Sequence, residues 1–388
     1  MKPRSVVILG STGSIGRSCL DVIRQNPGSF AVRALAAHSN VELLIEQYRE
    51  FRPEYVCIVD ATKAKALAQA LASEKVRILV GDSDLVSLAG LPDVDLVVNA
   101  IVGAAGLKAS LEAVSHQKGL ALANKESLVV GGPIFRPMIE QGKATILPID
   151  SEHSAIWQSL LSGKRSEVRD IILTASGGPF RELALERFGA ITVEQALAHP
   201  TWKMGPKISI DSATMVNKGL EIIEAVTLFS ISASKIKVVI HPQSIVHSMV
   251  EFQDSSVIAQ LSRPDMRLPI TYALFWPDRV RSDFGRMDWA DVQKLTFEPP
   301  DLAKFPLLRL AREVAETGGD IPAVYNAANE IAVEAFLNRQ VGFTDIYRVV
   351  AETVAQTLPT AEPTVADILA ADSEARVKAR KSLETVRC

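Results

Sequence analysis

The sequence lacks the features that direct a chain to a membrane, to nucleic acid or to an oxidising compartment. No run of about 18 uninterrupted apolar residues is present, so we expect no membrane span. The 42 basic and 45 acidic residues leave a net charge of −3, which gives no attraction to nucleic acid or an acidic lipid surface. Three scattered cysteines suit neither a disulfide framework nor a metal-ligand spacing. A signal-peptide core is missing as well, and together these absences predict a cytoplasmic protein with no nucleic-acid or membrane partner.

What the sequence does contain is enough apolar material for a large core, with 47% hydrophobic residues in a chain of 388. Strand and helix patterns alternate up to about residue 150, which predicts a doubly wound, Rossmann-like parallel sheet. Mixed helices and strands follow, then a proline-rich stretch, then about four helical patterns. The predicted fold is therefore α/β, with an N-terminal sheet domain, a central α+β domain and a C-terminal four-helix domain. The bounds that we expect are 1–149, 150–276, a linker over 277–301, and 302–388.

A glycine-rich turn, Gly10-Ser11-Thr12-Gly13-Ser14-Ile15-Gly16, joins the first predicted strand to the first helix. Small residues there let the backbone approach a pyrophosphate at a helix N-terminus. The spacing is GxxGxxG rather than GxGxxG, so an ordinary strand-to-helix turn is the alternative. The second strand ends at His38-Ser39-Asn40, without the acidic residue that would select NAD. These donors favour NADP, although no arginine or lysine stands among them.

Two carboxylates, Asp150 and Glu152, follow a predicted strand. If the chain stays extended, alternation places both on one side, where they suit a hard cation such as Mg²⁺ or Mn²⁺. The alternative is a plain helix N-terminus capped by Ser151, with Glu152 favoured by the helix dipole.

A second polar set lies in a helix that we predict to start near Ser212. Asn217 lies four residues and Lys218 three residues before Glu221, so all three share a helix face. Glu221 then completes the metal site while Asn217 and Lys218 hold an anion, unless Lys218 and Glu221 form only a surface ion pair. Gly219 is a poor helix former, which indicates a local reason for its presence.

Between these sets, Ser176 precedes Gly177-Gly178-Pro179, a flexible turn suited to a phosphate or simply an ordinary turn. His199, Trp202 and Met204 lie between chain-breaking residues, which predicts a mobile lid over about 176–206. A core tryptophan and a structural histidine are the alternative.

These motifs together resemble one enzyme family. GSTGSIG, LANKESL, DSEHSAI, SGGPF, HPTWKMG, DSATMVNKGLE, IHPQSIVHSM and NAANEIAVEAFL resemble the 1-deoxy-D-xylulose 5-phosphate reductoisomerases, in order and spacing, over essentially the whole chain. The resemblance implies rearrangement of 1-deoxy-D-xylulose 5-phosphate and its reduction by NADPH to 2-C-methyl-D-erythritol 4-phosphate, for isoprenoid precursor synthesis. It also implies a homodimer.

The resemblance assigns roles to matching residues. It implies Mg²⁺, Mn²⁺ or Co²⁺ on Asp150, Glu152 and Glu221. Substrate contacts would come from Lys125, Ser151, Glu152, Ser176, His199, Ser212, Asn217, Lys218 and Glu221, and among these Lys125, Glu152 and His199 would be catalytic. NADPH contacts would come from Thr12, Gly13, Ser14, Ile15, His38, Ser39, Asn40, Asn124, Glu126 and Gly205. Trp202 and Met204 would form the lid.

One departure and two rival functions accompany the resemblance. Many members have Gly-Lys-Asn where this chain has His38-Ser39-Asn40, so a weaker NADPH preference or another cation is expected. A dehydrogenase of phosphorylated semialdehydes would need a cysteine nucleophile, and no cysteine is well placed for it. A non-catalytic NADPH-binding protein would have no use for the carboxylates and Lys218. Alternating strands over 236–261 suggest a sheet shared across a two-fold axis, and His241 serves that interface, the lid or a buried structural role.

Overall fold

A computed structural model gives the fold over residues 2–202, 204–292 and 294–386. The chain forms two compact units, each assembled from separated stretches. The first unit contains the chain up to residue 127 together with 138–154 and 265–284; the second contains 128–137, 155–264 and the chain from 285 onward. These units follow packing rather than chain order, and the sequential domain bounds expected from the sequence stay a prediction.

The first unit is built on a parallel sheet of seven strands. They are β1 (Arg4–Leu9), β2 (Phe30–Ala37), β3 (Tyr55–Ile58), β4 (Arg77–Val80), β5 (Leu96–Asn99), β6 (Gly119–Leu122) and β7 (Thr145–Pro148). Their order is β4-β3-β2-β1-β5-β6-β7, which confirms the doubly wound prediction. The strand order reverses between β1 and β5, and in such sheets ligands bind outside the carboxyl ends at that point.

The first half of the chain supplies eight helices within the described residues. They are α1 (Ser14–Gln25), α2 (Val41–Phe51), α3 (Ala64–Ala70), α4 (Asp82–Ala89), α5 (Leu107–Ser115), α6 (Lys125–Val130), α7 (Gly132–Glu140) and α8 (Ser151–Leu160). Most of them cross over between neighbouring parallel strands, as such a sheet requires. The β1 residues Val6 to Leu9 are fully buried, since helices on both faces make a parallel strand apolar throughout.

The second unit contains a four-stranded mixed sheet. Its strands are β8 (Val168–Ala175), β9 (Ile236–Ile240), β10 (Val246–Phe252) and β11 (Val257–Leu261), in the order β11-β10-β8-β9. The face of β10 formed by Val246, Ser248, Val250 and Phe252 is buried, and β10 and β11 form a hairpin through Asp254-Ser255. Ser255 has a φ of 68°, which the tight turn requires.

Helices complete both units. In chain order, the remaining helices are α9 (Val193–Leu197), α10 (Pro206–Ala213), α11 (Val216–Phe229), α12 (Arg267–Phe275), α13 (Pro306–Thr317), α14 (Ile321–Leu337), α15 (Asp345–Ala355) and α16 (Val365–Val386). Of these, α12 belongs to the first unit. The last four confirm the predicted helical C-terminal part, and Thr364 and Asp367 form a reciprocal capping interaction at the start of α16. Within the described ranges, no helix is both long and apolar enough to cross a membrane.

The predicted linker, 277–301, begins just after α12 and contains an irregular stretch that pairs with β9. Glu298 forms an antiparallel bridge with Ile240. His241 next to it is fully buried: Nδ1 lies 2.9 Å from the Thr296 carbonyl oxygen, and Nε2 accepts the backbone N–H groups of Ile245 and Val246. Nδ1 therefore carries the proton, and of the three roles considered the contacts support the structural one.

Candidate active site

The carboxyl ends of the parallel strands bring most of the expected cofactor residues to one edge of the first unit. The glycine-rich turn follows β1, His38-Ser39-Asn40 follows β2, and Asn124 to Glu126 follow β6. Because these strands are parallel, their carboxyl ends face the same way. Gly205 is in the second unit, where it caps α10.

The glycines of the first turn are needed for close backbone packing. Gly10 has a φ of 81°, and a Cβ there would lie 2.6 Å from the Ala100 carbonyl oxygen. A Cβ on Gly16 would overlap the Gly10 carbonyl oxygen, while Gly13 is the N-cap of α1. The turn therefore folds tightly onto the start of α1, which leaves helix N–H groups available to an anion.

Gln47 on α2 supports this turn and was not anticipated from the sequence. Its amide nitrogen donates to the Ser11 carbonyl oxygen at 2.9 Å, and its amide oxygen accepts from the Ser11 hydroxyl at 2.7 Å. Both residues are buried. A lone glutamine among the apolar positions of α2 is the signal that would have found it.

Asn124 holds a loop with its side chain. Nδ2 donates to the carbonyl oxygens of Ile101 and Gly103, both at 2.7 Å, and Oδ1 accepts the Ser127 backbone N–H at 3.0 Å. The amide thereby fixes the segment that follows β5 against the start of α6. The role of Asn124 as a cofactor contact stays a prediction.

Asp150 caps α8 and gathers three donors. It accepts from Lys125 Nζ at 2.5 Å, from the Glu152 backbone N–H at 3.1 Å and contacts His153 Nδ1 at 3.3 Å. The expected extended stretch is wrong, because the chain becomes helical at Ser151. The alternative of a helix N-terminus with Glu152 in its first turn is confirmed, except that Asp150 rather than Ser151 accepts the capping N–H, and the Ser151 hydroxyl donates to Glu152 at 2.6 Å.

His153 is a buried neighbour of this carboxylate that sequence reasoning missed. It lies three residues after Asp150, on the same face of α8, and has no exposed surface. The i,i+3 spacing in the string Asp150-Ser151-Glu152-His153 was the available signal.

Lys218 and Glu221 form a buried ion pair in the first turns of α11, with exposed fractions of 3% and 1%. Asn217 donates to the other Glu221 oxygen at 2.6 Å. The predicted shared helix face is confirmed, and the surface ion-pair alternative is wrong. The predicted helix start near Ser212 is also wrong, because Ser212 lies in the last turn of α10 and the chain bends at Met215, whose φ is 63°, before α11.

The glycine turn after β8 packs against Ser212. Gly178 has a φ of 68°, and a Cβ there would lie 2.7 Å from the Ser212 carbonyl oxygen. The Ser176 hydroxyl oxygen accepts the Gly178 N–H at 3.3 Å. This brings Ser176 and Ser212, two of the expected phosphate contacts, together within the second unit.

His199 is joined to the same turn in a defined tautomer. Its Nδ1 accepts the backbone N–H groups of Thr201 and Trp202, at 3.1 and 2.9 Å. Nε2 therefore carries the proton and donates to the Ser176 hydroxyl oxygen at 3.1 Å. Burial lowers the pKa of His199, since the charged form loses hydration. The imidazole is thus a neutral donor, and the Ser176 proton remains to be donated elsewhere.

Comparisons with known proteins identify the family of this chain. Residues 6–132 match the family model of 1-deoxy-D-xylulose 5-phosphate reductoisomerase, and residues 146–229 and 261–378 match models of its C-terminal domains. A reductoisomerase from Pelodictyon phaeoclathratiforme is 52% identical over 97% of this chain and 99% of its own. This chain belongs to the 1-deoxy-D-xylulose 5-phosphate reductoisomerase family.

Solved members of the family have the same fold. The Zymomonas mobilis reductoisomerase in complex with NADPH is 44% identical, covers 99% of this chain and 100% of its own, and has a TM-score of 0.92. A DOX-P reductoisomerase in complex with NADPH, fosmidomycin and magnesium is 41% identical over 98% of both chains, also with a TM-score of 0.92.

Two residues of the expected lid of the reductoisomerase family, Trp202 and Met204, lie on the connection between α9 and α10. Trp202 is half-buried, with its ring 6.4 Å from that of His247, and Met204 is half-buried as well. The lid role of both residues stays a prediction.

Gly219, which was expected to have a local reason, has one in helix packing. A Cβ there would lie 2.5 Å from the Ala311 Cβ on α13 and 3.2 Å from the Tyr325 hydroxyl on α14. The glycine therefore lets two C-terminal helices approach the helix that carries Lys218.

The cysteines argue against the semialdehyde-dehydrogenase alternative. Burial raises the pKa of both Cys19 and Cys57 to about 12, so neither thiol supplies a useful thiolate near neutral pH. Cys388 lies outside the described residues.

Proposed function

We propose that the chain converts 1-deoxy-D-xylulose 5-phosphate to 2-C-methyl-D-erythritol 4-phosphate with NADPH and a divalent cation, in isoprenoid precursor synthesis. The observation that carries this proposal is the buried Lys218 at the corner where Ser212 meets the glycine turn. A buried ammonium three residues after the bend at Met215, in the helix that follows Ser212, suits a phosphate monoester. Membership of the reductoisomerase family indicates the identity of the rest of the substrate.

The proposed phosphate ligands are Ser176, Ser212, Asn217 and Lys218. The Ser176 hydroxyl accepts from His199 and Gly178, so its own proton is directed to an anion. His199 then orients that serine as a neutral donor. Binding at a phosphate remote from the reacting carbons supplies positioning energy for the chemistry.

The proposed metal ligands are Asp150, Glu152 and Glu221. All offer carboxylate oxygens, the donors that Mg²⁺ and Mn²⁺ prefer, and Co²⁺ accepts them too. When bound, such an ion acts as a Lewis acid toward the ketone and hydroxyl oxygens of the substrate. Lys125 holds Asp150 in orientation through its 2.5 Å ion pair, and with Ser151 it would contact the substrate carbon chain.

NADPH is proposed to bind at the carboxyl edge of the parallel sheet. The start of α1 would receive the pyrophosphate, with contacts from Thr12 to Ile15, Glu126 and the loop held by Asn124; Gly205 would add a contact. The exposed His38 and Ser39 would receive the 2′-phosphate without a lysine. We therefore expect a modest preference for NADPH over NADH, measured as the ratio of kcat/KM.

The deciding experiment follows NADPH oxidation in purified, thoroughly chelated protein. Turnover should require both 1-deoxy-D-xylulose 5-phosphate and restored Mg²⁺ or Mn²⁺. Undiminished turnover after chelation would remove the metal assignment. NADPH binding without turnover under any metal would support the non-catalytic alternative, and activity on a phosphorylated semialdehyde alone would support the dehydrogenase.

We also propose a homodimer located in the cytoplasm. The outer strand β11 exposes Val257 and Ile258, at 47% and 36%, which is consistent with a surface covered by a second copy. Light scattering should give twice the chain mass for the wild type and a lower mass for Ile258→Asp. A monomeric wild type would refute the dimer, and a membrane-pelleting protein would refute the location.

A further inference from the structure

Asn329, in the middle of α14, is tied to a buried carboxylate on α10. It is fully buried, and its Nδ2 donates to Asp211 Oδ1 at 2.8 Å. The other oxygen of Asp211 pairs with Lys207 Nζ at 3.0 Å. Asp211 is thus held by a cation on its own helix and by an amide 118 residues further along the chain.

Asp211 occupies a critical place in the second unit. It directly precedes Ser212, and α10 ends at Ala213. The chain then bends at Met215 and continues into α11. On the other side of this bend, Tyr325 lies against Gly219, the residue after Lys218. Tyr325 and Asn329 are one turn apart on α14, so this helix contacts the corner on both sides.

The chemistry of Asn329 indicates a positional role. Its Oδ1 is buried without a hydrogen-bond partner, which makes the amide an unfavourable choice for stability alone. An apolar side chain would fill the position without an unpaired oxygen. What the amide supplies is a directed hydrogen bond that fixes the Asp211 carboxylate, and with it the end of α10.

We propose that Asn329 is a positioning residue for the phosphate-binding corner. Through Asp211 it sets the position of Ser212 relative to Asn217 and Lys218. The inference rests on the proposed function of this corner as the site of the substrate phosphate. It assigns to the C-terminal helices a direct influence on substrate affinity.

The test compares Asn329→Leu with Asn326→Leu. Asn326 is a matched control, because it is fully buried on the same helix and also has an unpaired Oδ1, but its Nδ2 donates to Glu330 instead. Asn329→Leu should raise KM for 1-deoxy-D-xylulose 5-phosphate about tenfold, with kcat and NADPH affinity little changed. Calorimetry with inorganic phosphate as the probe should show a similar loss of affinity, and Asn326→Leu should show neither effect.

Two results would overturn the proposal: an unchanged KM and phosphate affinity in Asn329→Leu, or equal changes in both variants. Should Asn329→Leu fail to fold, Asn329→Ser provides a smaller polar replacement with the same expected direction. A wild type that binds phosphate but does not turn over the sugar phosphate would refute the proposed function. The calorimetric comparison would still decide the role of Asn329.

Discussion

The two sets of polar residues proposed to meet the substrate are supported in different ways. The carboxylate set, Asp150 and Glu152 with Lys125, stands at the ends of two adjacent parallel strands and the start of one helix. The phosphate set, centred on Ser212 and Lys218, lies at the bend of the chain between α10 and α11, where a glycine turn packs against Ser212. The first is held mainly by residues nearby in sequence, whereas the second depends on a helix more than 100 residues away. Changes at a distance should therefore disturb phosphate binding more than the carboxylates.

The largest expected effect comes from removing one of the proposed metal ligands. Asp150→Asn and Glu221→Gln should each lower kcat by at least about 100-fold, because an ion with a missing ligand no longer holds the substrate oxygens. NADPH affinity, measured by fluorescence titration, should survive in both. Asp254→Asn changes an exposed carboxylate of the hairpin and should be fully active. Full activity in either test variant would exclude that residue as a ligand.

Removing the buried cation should come next. Lys218→Ala is expected to raise KM for the sugar phosphate about 10- to 100-fold, with a smaller change in kcat, since a charge-assisted phosphate contact is lost. Steady-state kinetics measure this split. The control, Lys237→Ala, removes an exposed pair with Asp170 and should change neither constant. If KM stayed at its wild-type value in Lys218→Ala, Lys218 would serve only as the partner of Glu221.

Two glycine substitutions sharpen the comparison between the units. Gly10→Ala adds a side chain at positive φ in the cofactor turn, and Gly178→Ala does so in the phosphate turn. Gly10→Ala should weaken the binding of NADPH about tenfold, and Gly178→Ala should weaken the binding of the sugar phosphate about tenfold. Gly189→Ala meets no neighbouring atom and serves as the control. An effect on the wrong ligand in either variant would contradict the assignment of the two turns.

The smallest effect concerns pH and His199. Burial holds its folded pKa below the ordinary value of about 6.5, so the unfolded chain takes up the proton first as the pH falls. The wild type should therefore lose stability relative to His199→Gln below pH about 6.5, while the difference between them stays constant above it. Urea unfolding at a series of pH values measures this. A widening difference on the alkaline side would contradict the neutral imidazole.

The sequence predicted the regular elements well because their signals are local. Apolar runs interleaved with helical patterns identified the strands, and a hydrophobic period of about 3.6 residues identified the C-terminal helices. It also brought Asn217, Lys218 and Glu221 onto one helix face, since the helical repeat fixes that relation. The predictions were wrong where a single residue changes the backbone conformation. These places are the start of a helix directly after Asp150 and the left-handed conformation at Met215.

By itself, then, the sequence determined the order of strands and helices, the polar segments that follow them and the family to which the chain belongs. Only the tertiary structure decided that Lys218 and Glu221 are buried, that Gly219 serves close helix packing and that Asn329 reaches Asp211. The physical reason is the range of the interactions. Backbone preferences and helical spacing act between neighbouring residues, whereas burial and hydrogen-bond partners depend on which distant segments the fold brings together.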